Sequence, residues 1–231
     1  LSIRRQRQMC IRDSQRGHIM QTITNIDLRL LNWIHEHFAC SFLDFLMPKI
    51  TFLGNGGLIW IAAAIIMIFF KKYRKIGIMI GTGLSAGVII GNILLKNLIA
   101  RERPCWINET VQMLISTPQD YSFPSGHTAT VFMGAELVRM EYKDTSRLYG
   151  IGAYTIACGV AFLRLYNERH WCNDILAGAG IGILSARIGY WLLPYERKLL
   201  GLDKKSTVNL VASPFYDHFS KTYGGRVFVC F

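Results

Sequence analysis

The chain has 231 residues, of which 51% are hydrophobic and only 18% are charged. Lysine and arginine outnumber aspartate and glutamate by 26 to 15, which gives a formal net charge of +11. Such an apolar chain excludes intrinsic disorder and is atypical of an ordinary soluble domain. A basic excess is typical of proteins that bind nucleic acid, anionic lipid or a phosphorylated substrate. Because the cations lie between apolar segments, we expect membrane lipids as partners and no nucleic acid.

The two ends of the chain differ in composition from its middle. Residues 1–19 are basic and lack an apolar run long enough for a signal peptide. We expect them to be a disordered or non-native tail, with a native tail lying on anionic lipid as the alternative. Residues 20–200 are then the membrane domain and residues 201–231 a cytoplasmic tail. Between Asn25 and about Lys49, apolar residues recur at helical spacing among charged ones, which predicts an amphipathic helix at the membrane interface.

Five apolar segments are long enough, or nearly so, to cross a hydrocarbon core of about 30 Å, which needs roughly 20 helical residues. They are Ile50–Phe70, Ile76–Leu95, Phe123–Val138, Leu148–Leu163 and Ile175–Leu193. The sequence therefore predicts an all-α membrane bundle of about five transmembrane helices, preceded by an interfacial helix.

Lysine and arginine are concentrated in three of the stretches that flank these segments. The stretches contain Lys71, Lys72, Arg74 and Lys75; Arg139, Lys143 and Arg147; and Arg197, Lys198, Lys204 and Lys205. Five crossings place all three at one end of the bundle. Because cytoplasmic loops accumulate lysine and arginine, that end is predicted to be cytoplasmic.

Three short motifs fall at the opposite, extracytoplasmic end. They are KxxxxxxRP with Lys96, Arg103 and Pro104; PSGH with Pro124, Ser125, Gly126 and His127; and RxxxxxHxxxD with Arg164, His170 and Asp174. Each alone has a structural explanation, since cations beside a span often anchor it to headgroups and a single histidine often lies in a core. Their joint occurrence in this order is not expected by chance.

The residue types in these motifs suit phosphoryl transfer, in which fixed cations and N–H donors stabilise negative charge on the phosphoryl oxygens. Lys96, Arg103 and Arg164 provide three such cations. Ser125 and Gly126 lie at a predicted helix start, where free N–H groups attract an anion. The four-residue spacing of the histidine and the aspartate of the third motif places a carboxylate near an imidazole. We expect no metal ion or other cofactor, because carboxylates are scarce at this end and the cations perform a metal's role.

Together the three motifs resemble the signature of the membrane-integral type 2 phosphatidic acid phosphatase superfamily, which is related to vanadium haloperoxidases. The resemblance implies that His170 attacks phosphorus to form a phosphohistidine, that Asp174 orients its ring, and that His127 protonates the leaving oxygen. One position departs from the family pattern. Leu163 stands where the family usually has serine before the arginine, so a hydroxyl contact to the phosphate is expected to be missing.

The resemblance implies a lipid phosphatase of the bacterial plasma membrane, with its site on the extracytoplasmic face. Undecaprenyl pyrophosphate, phosphatidylglycerol phosphate and phosphatidic acid all fit, and the sequence does not choose among them. A vanadate-dependent haloperoxidase is one alternative, although the short chain and multiple spans argue against it. A non-catalytic protein that binds lipid phosphates is the other, but binding alone does not require His127, His170 and Asp174.

Two ionisable residues lie inside the predicted spans, where charged groups usually face a partner. Glu136 and Arg187 are distant from the three motifs in sequence and depth. We predict that they pair with each other near the cytoplasmic half of the bundle, in a structural role.

Overall fold

The computed structural model describes residues 25–54, 57–107, 118–167, 169–202, 209–217 and 222–230. The tail predicted over residues 1–19 lies outside them. The helices are α1 (25–38), α2 (Ser41–Gly54), α3 (Leu58–Phe69), α4 (Arg74–Gly87), a π-helix (Val88–Leu95), α5 (Lys96–Ile99), α6 (Pro104–Ile107), α7 (Gly126–Tyr142), α8 (Arg147–Tyr166) and α9 (Cys172–Leu199).

Three helical stretches in the described part of the chain are long and apolar enough to cross a membrane. They are Arg74–Trp106, Arg147–Tyr166 and Cys172–Leu199. Helix α3 is apolar but has only 12 residues, and α7 has 17. The predicted all-α, multi-span membrane bundle is confirmed, and the chain is an integral membrane protein.

The first predicted span, Ile50–Phe70, is wrong as a single helix. Helix α2 ends at Gly54 and α3 begins at Leu58, after Gly57 with a left-handed φ of 69°. A left-handed residue interrupts a right-handed helix, and glycine adopts that conformation without steric cost. Because of this break, α2 ends beside the residues of the three motifs.

The predicted interfacial helix is also divided, because α1 and α2 are separated at positions 39–40. On α1, Leu31 and Ile34 are buried, whereas Ile26 and Trp33 remain 60% and 49% exposed. One face thus packs on the bundle while a second apolar face stays open. Such an open apolar face is what a helix in the membrane interface presents to lipid.

Close packing of α9 against α7 brings the second and third motifs together. A Cβ atom at Gly178 would lie 2.6 Å from the carbonyl oxygen of Ser125, and one at Gly182 would lie 2.2 Å from that of Ala129. Only glycine permits such an approach of two backbones. As a result, the N–H of Ser125 donates to the carbonyl of Asp174 at 3.1 Å.

Two of the basic stretches meet at the other end of the bundle. Lys75, in the first turn of α4, forms a 2.7 Å ion pair with Glu141, near the end of α7. This contact agrees with the prediction that these stretches share one end.

The predicted pair of Glu136 and Arg187 is confirmed within a larger polar cluster. The Glu136 side chain is buried, and its Oε1 accepts a hydrogen bond from Arg187 Nε at 3.1 Å. The Glu136 carboxylate also accepts two hydrogen bonds from Arg139, at 2.6 and 2.8 Å, and one from Tyr154 Oη at 2.8 Å. One buried carboxylate therefore joins α7, α8 and α9.

Replacing Glu136 with glutamine is expected to destabilise the protein without a selective effect on turnover. The amide removes the charge that two arginines share and reduces the acceptors for four donor contacts. Because both arginines are partly exposed, we expect a loss of about 1–3 kcal/mol. Thermal unfolding in detergent measures this loss, whereas normal stability with reduced turnover would contradict the structural role.

The tail contains an antiparallel hairpin that the sequence analysis did not anticipate. Strand β1 (Asn209–Asp217) pairs with β2 (Thr222–Cys230). The hairpin belongs to a second unit of the chain, which begins at Leu193.

Candidate active site

A cleft of about 410 Å³ opens where the three motifs meet. Six of the eight predicted site residues line it: Lys96, Arg103, Gly126, His127, Arg164 and His170. They come from α5, from the segment before α6, from the start of α7, from the end of α8 and from the segment before α9. The cleft therefore gathers side chains that are far apart in sequence.

Arg103 is buried, and its guanidinium group is held by the backbone. Its Nε donates to the carbonyl of Asp120 at 2.7 Å, and its Nη1 donates to that of Arg169 at 2.7 Å. Its Nη2 donates to Asp120 Oδ1 at 2.8 Å and to the Tyr121 carbonyl at 3.2 Å. The planar group is thereby fixed with Nη1 3.4 Å from His170 Nε2.

His170 is held as a neutral imidazole with one defined tautomer. Its Nδ1 lies 2.8 Å from the carbonyl oxygen of Ser122, which only accepts hydrogen bonds, so Nδ1 carries the proton. The unprotonated Nε2 then faces Arg103. Burial lowers the pKa of His170 from 6.5 to about 4, although the nearby Asp174 opposes this effect. At neutral pH the ring therefore offers a lone pair at Nε2.

Asp174 lies near this ring, as the four-residue spacing predicts, but it makes no direct hydrogen bond to it. His170 precedes α9, and its Nδ1 lies 3.7 Å from Asp174 Oδ2, too far for a hydrogen bond. The carboxylate instead accepts hydrogen bonds from Ser122 Oγ, from the Trp171 N–H at 2.9 Å and from Arg101 Nη1 at 3.0 Å. Asp174 thus fixes Ser122, whose carbonyl fixes the imidazole.

Ser125 is buried and does not line the cleft, and its N–H is not free to bind the phosphate, contrary to the expectation. Its N–H is bonded to the Asp174 carbonyl, and its hydroxyl caps α7 by accepting from Thr128. Gly126, in the first turn of α7, does line the cleft. The positive end of the α7 dipole therefore faces the cleft at Gly126.

His127 and Arg164 both contact the end of α2. His127 Nε2 lies 3.3 Å from the Thr51 carbonyl oxygen, and a Cβ atom at Gly54 would lie 2.5 Å from the His127 ring. Arg164 Nη1 donates to Thr51 Oγ1 at 2.6 Å. The buried Arg164 Nε has no hydrogen-bond partner in the part of the chain that the structure describes. A buried guanidinium N–H of this kind fits the binding of an anion.

Two charged residues that the sequence analysis missed also line the cleft. They are Asp120 and Arg169. The Asp120 carboxylate accepts hydrogen bonds from Lys96 and from Arg103. Burial alone would raise the pKa of Asp120, but the hydrogen bond from Lys96 and the charge of Arg103 outweigh it and lower the pKa to about 2. Asp120 had no motif to mark it. Arg169 had a weak signal, because it directly precedes the histidine of the third motif.

The pH dependence of kcat/KM is expected to show an acid limb well below pH 6. Attack requires neutral His170, and the rate falls only as the pH drops through its pKa of about 4, whereas an ordinary imidazole titrates at 6.5. The profile is measured with two substrates whose phosphate groups differ in pKa. This comparison distinguishes ionisation of the enzyme from ionisation of the substrate. A limb near pH 6.5 that is common to both substrates would contradict the depressed pKa.

Comparison with known proteins connects this geometry to one family. The model of the PAP2 superfamily matches residues 75–198, more than half of the chain. Lipid A 1-phosphatase of Porphyromonas gingivalis is 46% identical over 71 residues, 31% of this chain and 16% of that protein. Undecaprenyl-diphosphatase of Sulfolobus acidocaldarius is 30% identical over 134 residues, 57% of this chain and 63% of that protein. The aligned part of the chain thus spans less than two thirds of either relative.

Among solved structures, the crystal structure of Aquifex aeolicus LpxE is similar in fold. It aligns with a TM-score of 0.59 and 25% sequence identity, covering 71% of this chain and 94% of that one. The alignment thus covers most of each chain. With the family match and this shared fold, the resemblance inferred from the three motifs is confirmed, and the chain belongs to the PAP2 superfamily.

Proposed function

We propose that the protein is a membrane phosphatase that hydrolyses a lipid phosphate or diphosphate monoester through a phosphohistidine, without a metal ion. The observation that carries this proposal is the geometry of His170. Its unprotonated Nε2 lies 3.4 Å from the fixed Arg103 guanidinium, in a cleft lined by three further cations. The five N–H groups of Arg103 already have acceptors, so the group acts through its charge. An anion that this charge holds in the cleft comes within reach of a nucleophile.

The reaction proceeds in two steps, phosphoryl transfer to His170 and then hydrolysis. Arg164 and Lys96 bind the phosphoryl oxygens beside the positive charge of Arg103, and His170 Nε2 attacks phosphorus as the bond to the leaving oxygen breaks. His127, which lines the same cleft, donates a proton to that oxygen. Water then attacks the phosphohistidine, His127 takes a proton from it, and the P–N bond breaks to release inorganic phosphate and His170.

A lipid substrate is supported by the apolar part of the cleft lining. Ile61, Leu84 and Val88 line the cleft together with the cations, and all three belong to apolar helices. A headgroup phosphate can bind the cations while its hydrocarbon chain contacts these apolar side chains and the bilayer. The two relatives, a lipid A 1-phosphatase and an undecaprenyl-diphosphatase, also support lipid phosphates as the substrate class.

The location of the site is inferred from charge. The basic stretches joined by Lys75 and Glu141 lie at the other ends of the helices that carry the site. Because basic loops stay in the cytoplasm, we place the cleft on the extracytoplasmic face of a bacterial plasma membrane.

Phosphate release from a lipid panel tests the function. Purified protein in detergent is given undecaprenyl pyrophosphate, phosphatidylglycerol phosphate and phosphatidic acid, with and without EDTA. We expect release from at least one lipid, unchanged by EDTA. Loss of release in EDTA that Mg²⁺ restores would contradict metal independence. Binding without release would favour the non-catalytic alternative, and bromide oxidation with vanadate would favour the haloperoxidase.

A further inference from the structure

We propose that Thr51 is a positioning residue of this site, and that its hydroxyl fixes the phosphate-binding fork of Arg164. The inference rests on the proposed function and goes beyond the signature motifs. Thr51 lies on α2, outside residues 75–198 that match the family. Its neighbours, however, are two of the predicted site residues.

Both the hydroxyl group and the carbonyl oxygen of Thr51 make defined contacts. Thr51 is 3% exposed, and its hydroxyl donates to Met47 Sδ at 3.3 Å. With its hydrogen so engaged, the hydroxyl oxygen presents a lone pair to Arg164 Nη1 at 2.6 Å. The carbonyl oxygen of the same residue lies 3.3 Å from His127 Nε2. One residue of α2 therefore contacts a predicted phosphate ligand and the predicted general acid.

Helix α2 packs against α8 through several independent contacts along one face. Asp44, Met47 and Thr51 are spaced by three and four residues, so they point to the same side of the helix. Tyr166 Oη donates to Asp44 Oδ1 at 2.6 Å, and Met47 shares a buried apolar cluster with Leu163 and Tyr166. The last turn of α8 is thus bound to α2 by the Tyr166–Asp44 hydrogen bond, by the apolar cluster and by the hydrogen bond between Arg164 and Thr51.

This packing gives a structural reason for the departure at Leu163. The Leu163 side chain is 6% exposed and packs with Met47 in the cluster, and it does not line the cleft. An apolar residue there docks α2 against α8. The hydroxyl group beside Arg164 comes from Thr51 on the neighbouring helix, and it acts on the arginine and not on the phosphate.

Fixing one end of a guanidinium group leaves its other N–H groups in a defined plane for phosphate oxygens. Without the hydroxyl, Nη1 is buried without an acceptor, and the fork rotates or is withdrawn from the cleft. Thr51→Val, which preserves shape, is therefore expected to lower kcat/KM and the affinity for inorganic vanadate by about tenfold to a hundredfold. Thr51→Ser, which keeps the hydroxyl, is expected to stay within about threefold of the parent.

The matched control is Tyr166→Phe, which removes a 2.6 Å hydrogen bond to Asp44 from the same α2–α8 contact. We expect this variant to stay within about threefold in both measurements, since it affects docking alone. Normal vanadate affinity in Thr51→Val would overturn the proposal, and so would an equal loss in Tyr166→Phe. If Thr51→Val does not accumulate, Thr51→Cys provides a weaker acceptor, and unchanged affinity in that variant overturns the proposal.

Vanadate binding keeps this test separate from the proposed function. If the parent protein binds vanadate but releases no phosphate from any lipid, the proposed hydrolysis fails. The affinities of the Thr51 variants still decide whether the hydroxyl positions Arg164.

Discussion

Replacing His170 with alanine is expected to lower kcat for phosphate release by at least about 10⁴-fold, because its Nε2 is the nitrogen that lies beside the fixed Arg103 guanidinium. The imidazole Nε2 forms the bond to phosphorus, and alanine leaves water to attack without a covalent intermediate. The cations remain, so affinity for lipid phosphate is expected to change far less than kcat. Phosphate release under saturating substrate and inhibition by inorganic phosphate measure the two effects.

The chain offers a matched control for this substitution. His37 lies on α1, is exposed, and contacts the carbonyl and ring of Trp33 on the same helix. His37→Ala is expected to retain parental turnover. Retention of more than about a tenth of the activity in His170→Ala would show that the nucleophile lies elsewhere.

Replacing Arg103 is expected to have the second largest effect. Arg103→Ala removes the cation that lies 3.4 Å from the attacking nitrogen, and we expect a loss of about 10³-fold in kcat/KM. Arg103→Lys keeps the charge but not the planar fork that three backbone carbonyls hold. A loss of about 10²-fold in that variant separates geometry from charge.

Arg147→Lys provides the control for the arginine substitution, because Arg147 is exposed at the start of α8, far along the helix from Arg164. It is expected to leave kcat/KM unchanged. Thermal unfolding of each variant distinguishes lost catalysis from lost folding, since Arg103 also holds the carbonyls of Asp120 and Tyr121. Parental activity in Arg103→Lys with normal stability would mean that the fork has no role.

The motif cations and histidines were predictable because their residue types and spacing are informative without a structure. Apolar length likewise identified the helices that build the bundle. The break at Gly57 was missed because the span was predicted from hydropathy, which does not register one left-handed φ. The run Gly54-Asn55-Gly56-Gly57 is a turn signal that could have indicated it.

Backbone partners explain the errors within the site. His170 is oriented by the carbonyl of Ser122, and any residue type carries a carbonyl, so no sequence pattern marks it. The N–H of Ser125 is engaged because Gly178 lets α9 approach α7, a tertiary effect. Thr51 was missed for a third reason, since it acts from a helix outside the motifs, where a threonine has many ordinary uses.

Rapid-quench trapping of a phosphorylated protein tests the covalent role of His170 most directly. Protein is mixed with substrate labelled in the transferred phosphate, quenched in alkali, in which phosphohistidine survives, and digested for peptide mapping. We predict label on His170 in the parent protein and none in His170→Ala. A stoichiometric burst of the dephosphorylated lipid with no label on the protein, or label on a different residue, would contradict it.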